Sequence, residues 1–450
     1  MMLEVVLAGC NADRENPGSG PETISAAYAR ISRDPRPIGR LRAEAAGEVE
    51  KARRSNRRII FQYGHSSVAE HAVFNFDICG LSRLGAEHLQ SFRLASFTEK
   101  SQRYIRIGRD YMVPEELGSD AADGYAGEVS TLFGLYADAL AGLEGAGMPS
   151  ETAREDARYL LPLCTTCQMG LTVNARELEH MVRRMGSSPL AEIRHLSVAL
   201  HDAAAAVAPS LLRHLEPSGM DILATSPVHF GCGSRDVELA AGDGDSVIGA
   251  MLARMSLGLD SAGASEAWRH MDGESRRELF DSVLEGLGPH EAPPRAWEHA
   301  RYAFDIRLSA SAFAQLKRHR MATLVASGYD DGNGHTIPPS FLEAGIGRLA
   351  GEAAAASGRI RSMLPGPAAA YGALNSSRRC VSLVMNAREL YHFARLRCDS
   401  HAQWDIRDIA GRMIALAGAR APLTFRMACG KSDLHGTGSA GTSDQGSSRA

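Results

Sequence analysis

The chain has 450 residues, 44% of them hydrophobic and 23% charged, with 45 Gly and 19 Pro, a composition that excludes collagen-like, wholly disordered and disulfide-scaffold classes. A formal net charge of −4 argues against a protein whose main surface binds nucleic acid, and eight cysteines scattered through so long a chain suit reduced thiols in the cytoplasm. At roughly 100–200 residues per domain the length predicts more than one folded unit, each able to bury its own core.

Met1-Met2-Leu3-Glu4 places no basic region ahead of the first short apolar run, so no secretory leader is expected. Residues 43–54 are rich in Ala, Glu and Arg and predict a helix. The basic run Arg53-Arg54-Ser55-Asn56-Arg57-Arg58 has no interleaved aromatics and reads as the solvated end of that helix. Residues 70–78 alternate apolar and polar as a strand does. A strand would put Glu70 and His71 on opposite faces, which argues against metal binding by His65, Glu70 and His71. The longest uncharged stretch, residues 159–175, is shorter than the ~20 apolar residues of a membrane span and carries polar residues, so no span is predicted. Cys164 and Cys167 form the one close cysteine pair. A zinc site would need His229 and Cys232 as well, at a spacing unlike that of tetrahedral sites, and no metal is predicted.

The chain repeats itself. Glu70-His71-Ala72-Val73-Phe74-Asn75-Phe76-Asp77-Ile78 is answered by Glu298-His299-Ala300-Arg301-Tyr302-Ala303-Phe304-Asp305-Ile306. Asn174-Ala175-Arg176-Glu177-Leu178-Glu179-His180 is answered by Asn386-Ala387-Arg388-Glu389-Leu390-Tyr391-His392, with six of seven residues identical, and Glu192-Ile193-Arg194 by Asp405-Ile406-Arg407. The matches keep their order at similar offsets, which predicts two copies of one α+β domain, 1–241 and 242–429. A small, polar, Gly-rich linker is expected over 240–246, a helix over 247–257, and a disordered tail over 430–450, where large apolar residues are almost lacking. On the helix predicted to begin near Asn386, Leu390, Phe393 and Arg397 fall within about 40° of Asn386 at ~100° per residue. That face suits an N-cap Asn and a dipole-complementing Arg as well as a pair of functional groups.

Two further segments carry a family resemblance. Ser91-Phe92-Arg93-Leu94-Ala95-Ser96-Phe97-Thr98-Glu99-Lys100-Ser101-Gln102-Arg103-Tyr104 resembles, in its second part, the RHRxxSxNExSxRY signature of the flavin-dependent thymidylate synthases. Arg318-His319-Arg320 resembles its first part, after which the second copy lacks the Asn-Glu pair and the final Arg-Tyr. The family's upstream His…Glu-His element resembles His65 to His71. Its Asn-Ala-Arg helix, with the Leu-Arg-x-Asp-Ser-His-Ala-Gln that follows, resembles residues 386–406.

The resemblance implies an α+β fold, a mixed sheet flanked by helices in each of two divergent tandem copies that form a pseudo-dimer. The departures are complementary. Where the family has a pyrimidine-binding Arg, the second copy has Arg397 and the first has Met185. Where it has an Arg ahead of Leu-Pro, the first copy has Arg158 and the second has none; where it has Gln before the RHR triplet, the second has Gln315 and the first His88. Because the family builds its sites between subunits of a tetramer, the resemblance implies one composite site per chain and a homodimer of two-copy chains.

The implied reaction is methylation of dUMP to dTMP with methylenetetrahydrofolate as methylene donor, FAD as cofactor and NADPH as reductant. By resemblance Arg397 is the catalytic cation; Gln315, Arg318, Glu99, Ser101, Gln102, Arg103 and Arg158 bind dUMP; and His319, Arg320, Asn386, Arg388, His392, Glu99 and Ser67 hold FAD. A guanidinium stays protonated, so Arg397 would stabilise an anion at the uracil and not accept a proton. Ser101 has no adjacent His or Lys base in its loop and is read as a nucleotide contact, with loop capping as the plainer alternative. Two other functions fit the residues: a non-catalytic paralogue that binds flavin or nucleotide, and methylation of another uridine nucleotide. No nucleic-acid or membrane partner is expected.

Overall fold

In a computed structural model of the chain, residues 2–16, 18–226 and 228–436 are described. They form two compact units, one of Met1–Pro227 with Ile337–Ser376, the other of Val228–Thr336 with Ser377 onward.

The first unit holds a four-stranded sheet of β1 (Glu4–Cys10), β2 (Val73–Ser82), β3 (Ala95–Glu99) and β4 (Thr166–Asn174), in the order β1-β2-β4-β3. The second holds β5 (Val237–Gly242), β6 (Arg301–Ser309), β7 (Thr323–Ala326) and β8 (Arg378–Asn386), in the order β5-β6-β8-β7. The α+β organisation in two copies is therefore as expected. Strand direction is not mixed, because every pair in both sheets is antiparallel. The register slips at the same place in each copy, between Leu7 and Gly9 on β1 and between Leu239 and Ala241 on β5.

The apolar positions of the repeated strand become the core. Phe74, Phe76 and Ile78 on β2 are buried, as are their counterparts Tyr302, Phe304 and Ile306 on β6. Each strand begins later than the repeat suggested. Ser66–His71 and Arg295–His299 are 3-10 turns, so Glu70 and His71 precede β2 and are not on it. The helix expected over 43–54 is two, Ile38–Gly47 and Val49–Asn56, broken at Glu48, and a π-helical turn Arg57–Gln62 follows it. The helix expected over 247–257 is present as Asp245–Leu257.

Part of the second copy packs into the first unit. The helices Pro339–Glu343 and Arg348–Ser362 belong there, and Arg359 grips Glu128 on the helix Ala122–Gly145 through two bonds of 2.6 and 2.8 Å. Backbone bonds then join the segments 159–164 and 371–376: Leu163 N–H to Ala373 O, Cys164 N–H to Tyr371 O, Asn375 N–H to Leu161 O and Ser376 N–H to Tyr159 O, all between 2.7 and 3.1 Å. The compact units thus differ from the stretches 1–241 and 242–429.

Three further expectations need correction. The stretch 240–246 is no linker; it is the end of β5 and the start of the helix Asp245–Leu257. Its polar residues are ties: Asp243 accepts from Arg301 N–H at 2.7 Å, and Asp245 from the N–H and hydroxyl of Thr424 at 2.7 and 2.8 Å. Of the tail expected over 430–450, residues 437–450 lie outside the described residues. Before them, Ser432 donates its N–H and hydroxyl to Asp399 at 2.8 and 2.6 Å and opens the 3-10 turn Ser432–Gly436. The cysteines are not all separate thiols: Cys232 is disulfide-bonded to Cys380, while Cys164 and Cys167 are buried and belong to no disulfide among the described residues. Among the described residues no helix is long and apolar enough to cross a membrane.

Candidate active site

In the first unit the site residues gather where β3 ends. Arg83, buried at the start of the helix Arg83–Leu89, is ion-paired with Glu99, whose other oxygen accepts from Gln90 at 3.0 Å. Gln102 is buried and accepts at Oε1 from the Asn375 amide at 3.0 Å; the same amide also donates to Arg158 O at 2.9 Å. Ser101 accepts at Oγ from Arg103 N–H at 3.1 Å, so the capping role is real, and the Arg103 guanidinium is ion-paired with Glu155. Arg158 is 8% exposed, donates Nε–H to Glu155 O at 3.1 Å, and has no hydrogen-bond partner for Nη2 among the described residues. Burial holds its guanidinium below the usual arginine range, and Arg103 and Arg83 push the same way. An anion beside Arg158 would relieve both the unmet donor and the like-charge crowding. Arg83 and Asn375 were missed in the sequence. Arg83 lies outside the signature, and Asn375 is distant in the chain until the exchanged segment brings it in.

In the second unit Gln315, His319 and Arg397 converge. Gln315 is buried on the helix Ala310–Leu316 and contacts Gln403 Oε1 at 3.4 Å. Arg397, at the end of the helix Ala387–Arg397, donates Nε–H to His319 Nε2 at 3.1 Å and Nη2–H to Gln315 O at 3.3 Å. The His319 ring is buried edge-on to Phe393, with Nδ1 3.2 Å from Glu389 Oε1. Burial pushes the imidazole below its ordinary value, outweighing Glu389. Arg318, Arg320 and His392 are exposed, the His392 ring 5.6 Å from that of His319. Asn386 is the N-cap expected of it, accepting from Glu389 N–H at 2.8 Å. Arg388 stands apart from this cluster, bound to Pro293 O at 2.8 Å and to Glu298 at 3.2 Å. Ser67 is exposed in the 3-10 turn Ser66–His71 of the first unit.

The repeated residues are ties within each copy. Arg176 is ion-paired with Glu70 as Arg388 is with Glu298. Ser82 donates its hydroxyl to Glu192 at 2.6 Å and caps the helix that follows it; Ser309 does the same with Asp405 and its own helix.

Two α+β units of one strand order, the first with the buried arginines Arg83 and Arg158 and the second with the half-buried Arg397 held by His319 and Gln315, define a tandem protein. The chain belongs to the thymidylate synthase complementing protein family, whose model matches residues 16–210 and again 239–423. The two matches lie in tandem, one to each divergent copy of the repeat. The flavin-dependent thymidylate synthase of Geobacter sulfurreducens is 36% identical over 160 residues, which cover 35% of this chain and 67% of that protein. A UPF0159 protein of Thermoplasma acidophilum is 22% identical over 449 residues, covering 86% of this chain and 90% of that protein. A crystal structure of the flavin-dependent thymidylate synthase of Helicobacter pylori, complexed with FAD and dUMP, is 20% identical, covering 47% of this chain and all of that one at a TM-score of 0.34.

Proposed function

We propose that the chain methylates dUMP to dTMP with methylenetetrahydrofolate and NADPH at one composite site, to which the two copies contribute complementary residues. What carries this reading is the division of the family's set. The first unit keeps Arg103, Arg158, Ser101 and Gln102, while the second keeps Gln315, Arg318, His319, Arg320 and Arg397.

Arg158 and Arg103, with Ser101, would hold the nucleotide phosphate. The unmet Nη2 of Arg158 supports that role, since a charge-assisted bond to a phosphate oxygen contributes about 1.5–3 kcal/mol. Gln315 would orient the uracil edge, with Arg318 beside it, and Gln102 and Glu99 would position the sugar and ring from the other copy. Arg397 would stabilise negative charge as C5 becomes electron-rich; His319 and Gln315 O already fix its guanidinium, so little reorganisation is needed. The residues present fit FAD. Exposed Arg320 and His392 flank the buried His319, a donor set for a diphosphate and a flavin edge, with Asn386, Arg388 and Ser67 as further contacts. When bound, FAD supplies the hydride-transfer chemistry. The chains would pair as a homodimer in the cytoplasm.

The test is release of tritium from 5-tritiated dUMP by the purified, flavin-loaded chain with methylenetetrahydrofolate and NADPH. Release dependent on both is expected. A chain that binds flavin or nucleotide and releases none would be a non-catalytic paralogue.

A further inference from the structure

The first unit carries an open cleft of about 770 Å³, lined by none of the residues assigned above. Arg30, Arg33, Arg36, Lys51, Arg54 and Arg58 line it, against only two carboxylates, Asp34 and Glu44. Glu44 is shared by Arg30, Arg36 and Lys51 at 2.9–3.2 Å, and Asp34 is taken by Arg36 at 2.6 Å. Arg33 and Arg54 are exposed, and their guanidinium groups have no ion-pair or hydrogen-bond partner among the described residues. The basic run expected to be a solvated helix end is thus divided. Arg53 is tied to Glu22 and Glu50, while Arg54 and Arg58, like charges four residues apart, both face the cleft. Like charges at that spacing destabilise a helix, and the excess of cations repels itself unless an anion is present. At one edge the Arg58 guanidinium lies 5.2 Å from the centre of the exposed Tyr63 ring and donates Nε–H to its hydroxyl at 2.7 Å, a platform of guanidinium and ring on which a purine can stack.

We propose that this cleft binds the adenosine 2′-phosphate end of the dinucleotide reductant, an inference that rests on the reading above that NADPH is used. The two unpaired guanidinium groups take the phosphate dianion, and the Arg58–Tyr63 platform takes the adenine. The cleft volume suits one nucleotide. Tyr63 is four residues ahead of Ser67, an assigned FAD contact, so their backbones are no more than about 14 Å apart, which an extended dinucleotide can span. A polyglutamate tail would satisfy the cations but has no ring for the platform.

The experiment is calorimetric titration of the purified full chain with adenosine 2′,5′-bisphosphate and with adenosine 5′-monophosphate. The bisphosphate is expected to bind roughly tenfold or more tightly than the monophosphate, and less tightly as salt rises. The double substitution Arg33→Ala with Arg54→Ala, at exposed and unpartnered positions, should weaken it by about tenfold or more and leave flavin content and dUMP affinity unchanged. Equal affinity for the two probes, or an unaffected double variant, overturns the proposal. So does a pteroyl polyglutamate whose binding needs Arg33 and Arg54 when the bisphosphate does not bind. If no thymidylate is made but the bisphosphate behaves as expected, the cleft stands and the synthase reading falls. Turnover that proceeds equally with NADH, with no bisphosphate binding, removes the cleft alone.

Discussion

Arg397 donates Nε–H to His319 Nε2, so that nitrogen must hold a lone pair and the ring proton must sit on Nδ1, where Glu389 accepts it. The three residues form a directed chain that aims one guanidinium. Arg397→Ala should lower turnover by roughly 10²–10³-fold while bound flavin, read from its absorbance, is retained; unchanged turnover would remove Arg397 from the chemistry. The buried imidazole also gives stability a pH dependence. Its native pKa lies below the unfolded value of about 6.5, so between the two the unfolded chain binds a proton that the native chain does not. Stability is complete above about pH 6.5 and falls as pH drops through that window. In His319→Gln this contribution is gone, so urea unfolding between pH 7.5 and 5.5 should show a shallower loss than wild type, by up to about 1.4 kcal/mol per pH unit. His335, half-buried and likewise lowered by desolvation, is common to both proteins and cancels. Identical pH slopes would show that His319 is not held neutral.

Among the elements, identical and divergent residues do different work. The blocks that reveal the repeat, Glu70 with Arg176 and Glu298 with Arg388, join the 3-10 turn to the helix after the last strand in both copies, and Ser82–Glu192 and Ser309–Asp405 anchor the helix after the repeated strand. This is why the fold was legible: alternation and repetition record local packing. The arginines offered for chemistry are those the copies do not share, Arg103 and Arg158 in one and Arg397 in the other, and only the family signature separated them from ordinary surface charge. Neither pattern could disclose Asn375 beside Gln102, a contact between residues 273 apart in sequence, nor the end of β5 in a Gly-rich stretch that pairs through its backbone. The shared tie also permits a control for flavin binding. The Arg176–Glu70 pair is exposed and the Arg388–Glu298 pair half-buried, so Arg176→Ala should cost less than about 1 kcal/mol in denaturant melts and Arg388→Ala about 1 kcal/mol. If Arg388 also holds FAD, its substitution alone should lower the flavin bound per chain. Equal flavin content in the two variants would leave Arg388 a structural residue.

Across the whole molecule, the exchange of 337–376 into the first unit means that neither copy is complete when cut at the repeat boundary. Phe341, Leu349, Ala353, Ala356 and Ile360 are buried in that unit, and backbone bonds at 159–164 depend on the same segment. A chain of residues 1–241 should therefore be poorly soluble or molten by circular dichroism, and co-expression with 242–450 should restore it; a stable isolated fragment would show the exchange to be dispensable. The composite site proposed above predicts about one functional FAD per chain and damage to one reaction from substitutions in either copy. Arg103→Ala should weaken dUMP binding, and Arg397→Ala should stop turnover, so each single variant is inactive or nearly so. Met185, the counterpart of Arg397, is buried in the first copy, and Met185→Ala should cost packing stability with little direct effect on chemistry. Mixing the Arg103 and Arg397 variants separates the geometries. If both arginines act from one chain, every chain in the mixture still lacks one, and no activity returns. If they act from different chains, random reassortment restores up to about a quarter to a half of wild-type turnover. Recovery would move the site to the interface between chains, and full activity in both single variants would dissolve the composite site altogether.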